Sequence, residues 1–234
     1  MDKISKFILQ DVCDVLDTYR GRDKFIRTLC YTSKLIGSCT CDEVLAKRCQ
    51  TFSSQMSATR AVLRLFDDLP MLRHSLQYGL GKQEPDQFMA SVGVVGNIVD
   101  QLYFPVDKIA WLADLKLINV ENSKFWETAS TAIYVVSLYL NLIRTVRYLN
   151  VLHKHKECVS SEADKSALTK LIVTEQTEYL TFIRLALDLV HAVNCLPSGF
   201  LWSSKLNSWQ VGVVGTLSSL VGLYQMFAKK HATE

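Results

Sequence analysis

Between Leu206 and Ala228 the chain runs for about 23 residues without a charge, and no other feature limits its folding so sharply. A helix of that length crosses a hydrocarbon core of ~30 Å. Lys205 precedes the run and Lys229–Lys230 follow it, with Trp202 and Trp209 near its start, where interfacial anchors belong. Gly212, Gly215, Ser218, Ser219 and Gly222 form a small-residue stripe that lets another helix approach closely. We therefore expect a membrane helix at 206–228, with helix packing or oligomerisation at Gly212, Gly215, Ser219 and Gly222.

A second uncharged run, Thr128 to Ile143 within 126–146, is about 16 residues long. That is short of the ~20 residues a full crossing needs. Arg144, Arg147, Lys154 and Lys156 follow it, and with Lys229–Lys230 they should share the cytosolic side. Two crossings with cytosolic termini satisfy that rule. The long amphipathic stretch at 162–197 carries Lys170, Glu175, Glu178, Arg184 and Asp188, too many charges to cross cheaply. Ser161-x-x-Asp164 opens it as a variant capping box, and Pro197 and Gly199 end it.

Composition agrees with a helical, membrane-associated chain. Hydrophobic residues make up 49% and charged residues 21%, which excludes disorder, and only 4 prolines and 10 glycines interrupt 234 residues. Mean hydropathy is +0.12, high for a soluble domain and low for a transporter built mostly of spans. A net charge of +3 without a basic arm or aromatic ribonucleoprotein motif excludes nucleic acid as the expected partner. The 7 cysteines are odd in number, irregularly spaced and without a C-x-x-C pair, as suits a reducing compartment. Met1 to Gln10 alternates charge with apolar residues, unlike a signal peptide.

Residues 1–120 read as amphipathic helices within a single unit. Lys3–Asp17 is the first, interrupted at Tyr19 to Arg22, and Asp23–Ile36 is the second, stopped by Gly37. In the third, Phe52–Leu69, the residues Phe52, Met56, Val62, Leu63, Phe66 and Leu69 share one half of the wheel, and Arg60 and Arg64 lie on the other. Such a helix can lie in a bilayer interface or face the core of a bundle. Pro70 restricts Leu69 and is expected to end it. Tyr78–Gly81 reads as a loop, and Gln87–Leu117 as a helix broken or kinked at Pro105, with Gly93 and Gly96 available for close packing.

Chemistry is hard to find. Gly81–Lys82 is followed by Gln83 where a phosphate-binding loop needs Ser or Thr. His153-x-His155-x-x-Cys158 stands among lysines without a second ligand cluster. Asp100, Asp107 and Asp114 recur every seven residues, a spacing that usually marks a solvated face. Neither His74 nor His191 has a Ser or Cys partner that spacing picks out. No catalytic set, metal site or cofactor is expected.

Five stretches in order, covering nearly the whole chain, resemble the peroxin-11 family of peroxisomal membrane proteins, most closely its gamma-type branch. They are Tyr19–Tyr31 (YRGRDKFIRTLCY), Leu63–Gly81 (LRLFDDLPMLRHSLQYGLG), Gly96–Asp114 (GNIVDQLYFPVDKIAWLAD), Leu196–Leu206 (LPSGFLWSSKL) and Gly212–Gln225 (GVVGTLSSLVGLYQ). The resemblance implies a protein of the peroxisomal membrane that promotes protrusion, elongation and proliferation of the organelle before fission. It implies amphipathic-helix insertion into the bilayer, self-association or pairing with relatives, and cooperation with fission adaptors and a dynamin-type GTPase. By position, the inserting helix is Phe52–Leu69, with Arg60 and Arg64 meeting headgroups and Met56, Leu63 and Phe66 as the wedge. The alternative is a channel or metabolite carrier lined by Gln210, Thr216, Ser218, Ser219 and Gln225.

Overall fold

A computed structural model describes residues 3–159 and 165–231, and every described element is a helix or a helical turn. The variant capping box at Ser161 and Asp164 lies outside the described residues. Two compact units form, the first from residues up to Leu63 together with those from Leu206 onward, the second from Arg64–Lys205.

The first unit contains α1 (Lys3–Asp17), α2 (Tyr19–Cys39), α3 (Glu43–Leu63) and α8 (Ser208–His231). The interruption expected across Tyr19–Arg22 is not found there: those residues are helical, and the break between α1 and α2 is the single residue Thr18. Thr18 caps α2, its hydroxyl accepting the amide of Gly21 at 3.0 Å. Gly37 does not stop α2. A Cβ there would meet Cys49 Cβ at 2.9 Å, so the glycine is spent on bringing α3 close rather than on a turn. Helix α2 is the centre of this unit, packing against α3 on one side and α8 on another. Cys30 and Ser53 are buried between α2 and α3, joined by the thiol donating to the Ser53 carbonyl at 3.3 Å.

The second unit opens with a 3₁₀ turn, Arg64–Phe66, and continues through α4 (Asp68–Tyr78), α5 (Gln87–Asp114), α6 (Ser123–Val159) and α7 (Lys165–Asn194). Helices α4–α5, α5–α6 and α6–α7 pack in sequence order. Gly79 and Gly81 both have positive φ, 55° and 72°, and turn the chain out of α4 as the expected loop. Pro105 does not break α5, which is helical on both sides of it.

The seam between α5 and α6 contradicts the solvated reading of the heptad aspartates. Ser130 donates to Asp107 at 2.8 Å, and Ser137 donates to Asp100 one heptad on. Asp114 alone of the three is exposed. Carboxylates at this spacing therefore pair α5 with α6, in antiparallel register. Burial pushes the Asp100 carboxyl up, and the Ser137 hydrogen bond opposes the shift. On the other side of α6, Leu138 packs with Leu185 and Ala192 of α7 in an apolar core.

Candidate membrane-contact site

The helix expected over Phe52–Leu69 does not exist as one piece. Helix α3 ends at Leu63, the 3₁₀ turn takes Arg64–Phe66, and α4 begins at Asp68. The break coincides with the boundary between the two units, so Phe52, Met56, Arg60, Val62 and Leu63 belong to one and Arg64, Phe66 and Leu69 to the other. Pro70 does not end a helix. It sits in the first turn of α4, where a missing amide hydrogen leaves no bond unmade.

The residues of the first half divide by role. Phe52 and Val62 are exposed, whereas Met56 and Leu63 are half-buried. Arg60 is not open to headgroups, because its guanidinium pairs with Asp23 of α2 at 2.8 Å and both side chains are mostly buried. Tyr19 fixes the end of α3 by donating its hydroxyl to the Leu63 carbonyl at 2.6 Å. Arg60 and the Leu63 carbonyl thus hold α3 against α2, while Phe52 and Val62 stay exposed.

The second unit carries an exposed apolar row of its own, along and beside α4. Phe66 is 76% exposed, Leu69 67%, Leu76 74% and Leu80 75%, and Leu72 is exposed between them. Steps of three and four residues place Leu69, Leu72 and Leu76 on one face of α4. Arg73 lies beside that face and is exposed, in the position of a side chain that reaches from an apolar surface to headgroups. The opposite face is pinned to the rest of the unit. Asp68 accepts from Lys108 at 2.5 Å, and that ammonium holds the Asp68 carboxyl below its usual range. Gln101 donates to Ser75 at 3.3 Å. Tyr78 lies over Gly93, where a Cβ would fall 1.9 Å from the phenol oxygen, and Arg144 stacks 5.4 Å from its ring centroid. Arg144 also pairs with Glu84, and Arg147 with Asp86 at 2.8 Å. Asp86 caps α5 by accepting the Met89 amide at 2.7 Å, which with Arg147 keeps its carboxyl below the usual range. Leu72, Leu76 and Leu80 were missed in the sequence because Pro70 was taken as a terminator; their spacing from Leu69 was legible.

Helices α6 and α8 are both long and apolar enough to cross a membrane. In α8 the small residues face inward. Val211, Gly212, Gly215, Ser218, Ser219 and Gly222 are buried, while Trp209, Leu217, Leu220 and Tyr224 are exposed. The covering helix is α2 of the same chain. A Cβ on Gly215 would fall 2.2 Å from the Tyr31 ring, and one on Gly212 would fall 2.8 Å from the Leu35 Cα. Arg27, itself buried, donates to the Ser218 hydroxyl at 3.2 Å, and Ser219 donates to the Gly215 carbonyl at 2.6 Å. The glycine face therefore serves packing within the chain, and Ser218 and Ser219, fully buried there, do not line an open path. At the far end Lys230 pairs with Asp11 and Asp14 at 2.6 Å, fixing the end of α8 beside α1.

Other chemistry is sparse. Among the described residues no group of three His, Cys, Asp or Glu side chains could hold a metal. Contrary to the sequence reading, His191 has a thiol neighbour, Cys195 Sγ at 3.9 Å from Nδ1, one helical turn away. Their spacing of four could have revealed it.

The described residues are helical throughout their elements, with two helices of bilayer length and an exposed leucine row, the features expected of the class of helical membrane proteins. The sequence profile of the peroxisomal biogenesis factor 11 family (PEX11) matches residues 9–227, and the chain belongs to that family. It is 37% identical over 226 residues to human "Peroxisomal membrane protein 11C", covering 93% of each chain. It is 36% identical over 227 residues to the mouse protein of the same name, covering 93% of this chain and 94% of that one. No solved structure matches it.

Proposed function

We propose that this protein remodels the peroxisomal membrane, promoting protrusion, elongation and proliferation of the organelle, without catalysing a reaction. The observation that carries the reading is the exposed row Leu69, Leu72 and Leu76 on α4, flanked by exposed Phe66 and Leu80, with the helix's other side tied down by an ion pair and hydrogen bonds. Inserted among headgroups to a depth of about 5–10 Å, such a row expands one leaflet and favours positive curvature. Phe52 and Val62 of α3 add apolar surface, and Arg73 takes the headgroup role first assigned to Arg60 and Arg64. Helix α8 anchors the chain, its outer face of Trp209, Leu217, Leu220 and Tyr224 turned to acyl chains. The pairing of Lys230 with Asp11 and Asp14 supports placing the N-terminal helix and the end of α8 on one side, which we assign to the cytosol. There the protein meets fission adaptors and a dynamin-type GTPase, and it gathers in homo- or hetero-oligomers with relatives. Because α2 covers Gly212 and Gly215, self-association through that face would require α2 to move, and otherwise uses other surfaces.

The test is expression of full-length Leu72→Glu with Leu76→Glu in cells that elongate peroxisomes on expression of the unaltered chain. Loss of elongation, with peroxisomal targeting and protein level retained, is the expected result. Elongation at the unaltered level would remove α4 as the wedge. Leu63→Glu with Phe66→Glu asks the same of the α3–α4 junction.

A further inference from the structure

Helix α5 of the second unit carries a single exposed stripe. Apart from its end residues Gln87 and Asp114, its exposed positions are Phe88, Ser91, Val95, Ile98, Leu102 and Pro105, at steps of three, four, three, four and three. Phe88, Val95, Ile98 and Leu102 are each about half open. Asp100 and Asp107 lie on the opposite side, where they meet α6, and Lys108 is taken up by Asp68. The positions flanking the stripe are Val92, Val99 and Val106 on one side and Gln87, Val94 and Gln101 on the other, so no charge borders it. Beside Ile98 and Leu102 opens a cleft of about 280 Å³, bounded also by Ser75 and Gly79 of α4.

From this stripe we infer that α5 pairs with α5 of a second copy, antiparallel, as a two-stranded heptad seam. A repeat of about 3.5 residues keeps a narrow seam in contact with a facing helix, whereas a helix lying in a bilayer interface exposes a broader apolar face edged by cations. Charges at the flanking positions select a different partner helix, and here those positions carry none; a copy of the same uncharged face is complementary to it under a two-fold axis. With the axis at Gly96–Asn97, Val95 of each copy lies opposite Ile98 of the other, Leu102 opposite Ser91, and Phe88 opposite Pro105. Large side chains then meet smaller ones, whereas parallel pairing would set Phe88 on Phe88 and Ser91 on Ser91. The cleft beside Ile98 gives side chains of the facing helix a hollow to enter as well as a ridge to meet. This inference rests on the self-association in the reading above and gives it a surface outside the α2–α8 contact.

Förster transfer between donor- and acceptor-labelled full-length chains, co-reconstituted in phosphatidylcholine vesicles over a range of protein-to-lipid ratios, tests it. The unaltered chain should show transfer that falls on dilution with lipid. Ile98→Glu with Leu102→Glu should weaken association by roughly a hundredfold or more, as for side chains at the centre of an interface. Val95→Lys copies and Ile98→Glu copies should each pair poorly with themselves and recover transfer when mixed, because the antiparallel register sets the new charges opposite each other. Where circular dichroism shows the double glutamate variant unfolded, Ile98→Gln with Leu102→Gln replaces it. Unaltered transfer in the double variant overturns the proposal and leaves the face to lipid or to a different protein. Loss of transfer without recovery in the Lys–Glu mixture overturns the antiparallel seam, and an absence of transfer in the unaltered chain overturns self-association with it. Elongation through Leu72 and Leu76 is read separately in cells, so the two readings fail apart.

Discussion

Replacing Gly215 with alanine asks which helix owns the small-residue face of α8. The new methyl would fall 2.2 Å from Cδ1 and 2.4 Å from Cγ of Tyr31. Those atoms are the base of the ring, next to the backbone, so the ring cannot simply swing aside. Alanine in place of glycine in a helix interior contributes about 1 kcal/mol of propensity. Overpacking a close interface costs about 1–3 kcal/mol, and so deep an overlap belongs in the upper half of that range. The net expectation is a loss of roughly 1–2 kcal/mol. Tyr31→Ala removes the obstruction and leaves space for the methyl, so in the double variant the Gly215→Ala penalty should disappear or change sign. The coupling between the two sites should be on the order of 1–3 kcal/mol, well beyond the few tenths expected of independent positions. Chemical unfolding of the four proteins in detergent, followed by circular dichroism, supplies the cycle. Additive losses would refute the packing of α8 on α2. If Gly215→Ala instead left stability alone and abolished self-association, the glycine face would belong between copies.

Three further outcomes follow from the second unit. Gly93 and Gly96 are three residues apart in α5, yet a Cβ at Gly96 meets nothing within 4 Å while one at Gly93 strikes the Tyr78 ring. Gly96→Ala should therefore stabilise by about 0.5–1 kcal/mol and Gly93→Ala destabilise by about 1–2 kcal/mol in urea titrations; equal effects would count against the Tyr78 seat. Asp86 and Glu175 are held below the usual carboxylate range, chiefly by the Met89 amide and the Lys156 ammonium respectively. Their contribution is present above about pH 4 and is lost as pH falls through the lowered values, so Tm should drop on acidification. Asp86→Asn keeps the cap but not the charge, and should flatten that fall in thermal melts. Asp100 works in the opposite sense, because burial raises its carboxyl, and the stability of its protonated form is lost as pH rises through the raised value. Asp100→Asn retains an acceptor for Ser137 and should raise Tm in mildly alkaline buffer, whereas an unchanged or lowered Tm would place Asp100 in water.

The local pattern was enough to find α1, the Tyr78–Gly81 loop and the apolar length of α8, because each rests on spacing or composition within a few turns. The family resemblance was likewise legible in five short stretches, and the profile match over residues 9–227 agrees with it. Apolar periodicity cannot say whether a face meets lipid or another helix, since both remove it from water. That ambiguity is why Arg60 was assigned to headgroups when it pairs with Asp23, and why the aspartates of α5 were assigned to solvent when Asp100 and Asp107 meet α6. A proline sharpens the same ambiguity, because it can end one helix or begin the next, and only the placement of Asp68–Tyr78 shows which Pro70 does.

By itself, then, the sequence determined that the chain is helical, that two of its helices can reach across a bilayer, and which family it belongs to. These depend on residue type and order alone. The tertiary structure decided who covers whom: α2 over the glycines of α8, although Arg27 and Ser218 are 191 residues apart, and open space over Leu72, Leu76 and Leu80. The physical reason is that burial belongs to pairs of surfaces, and the partner of a surface is fixed by chain-wide packing that no local window contains.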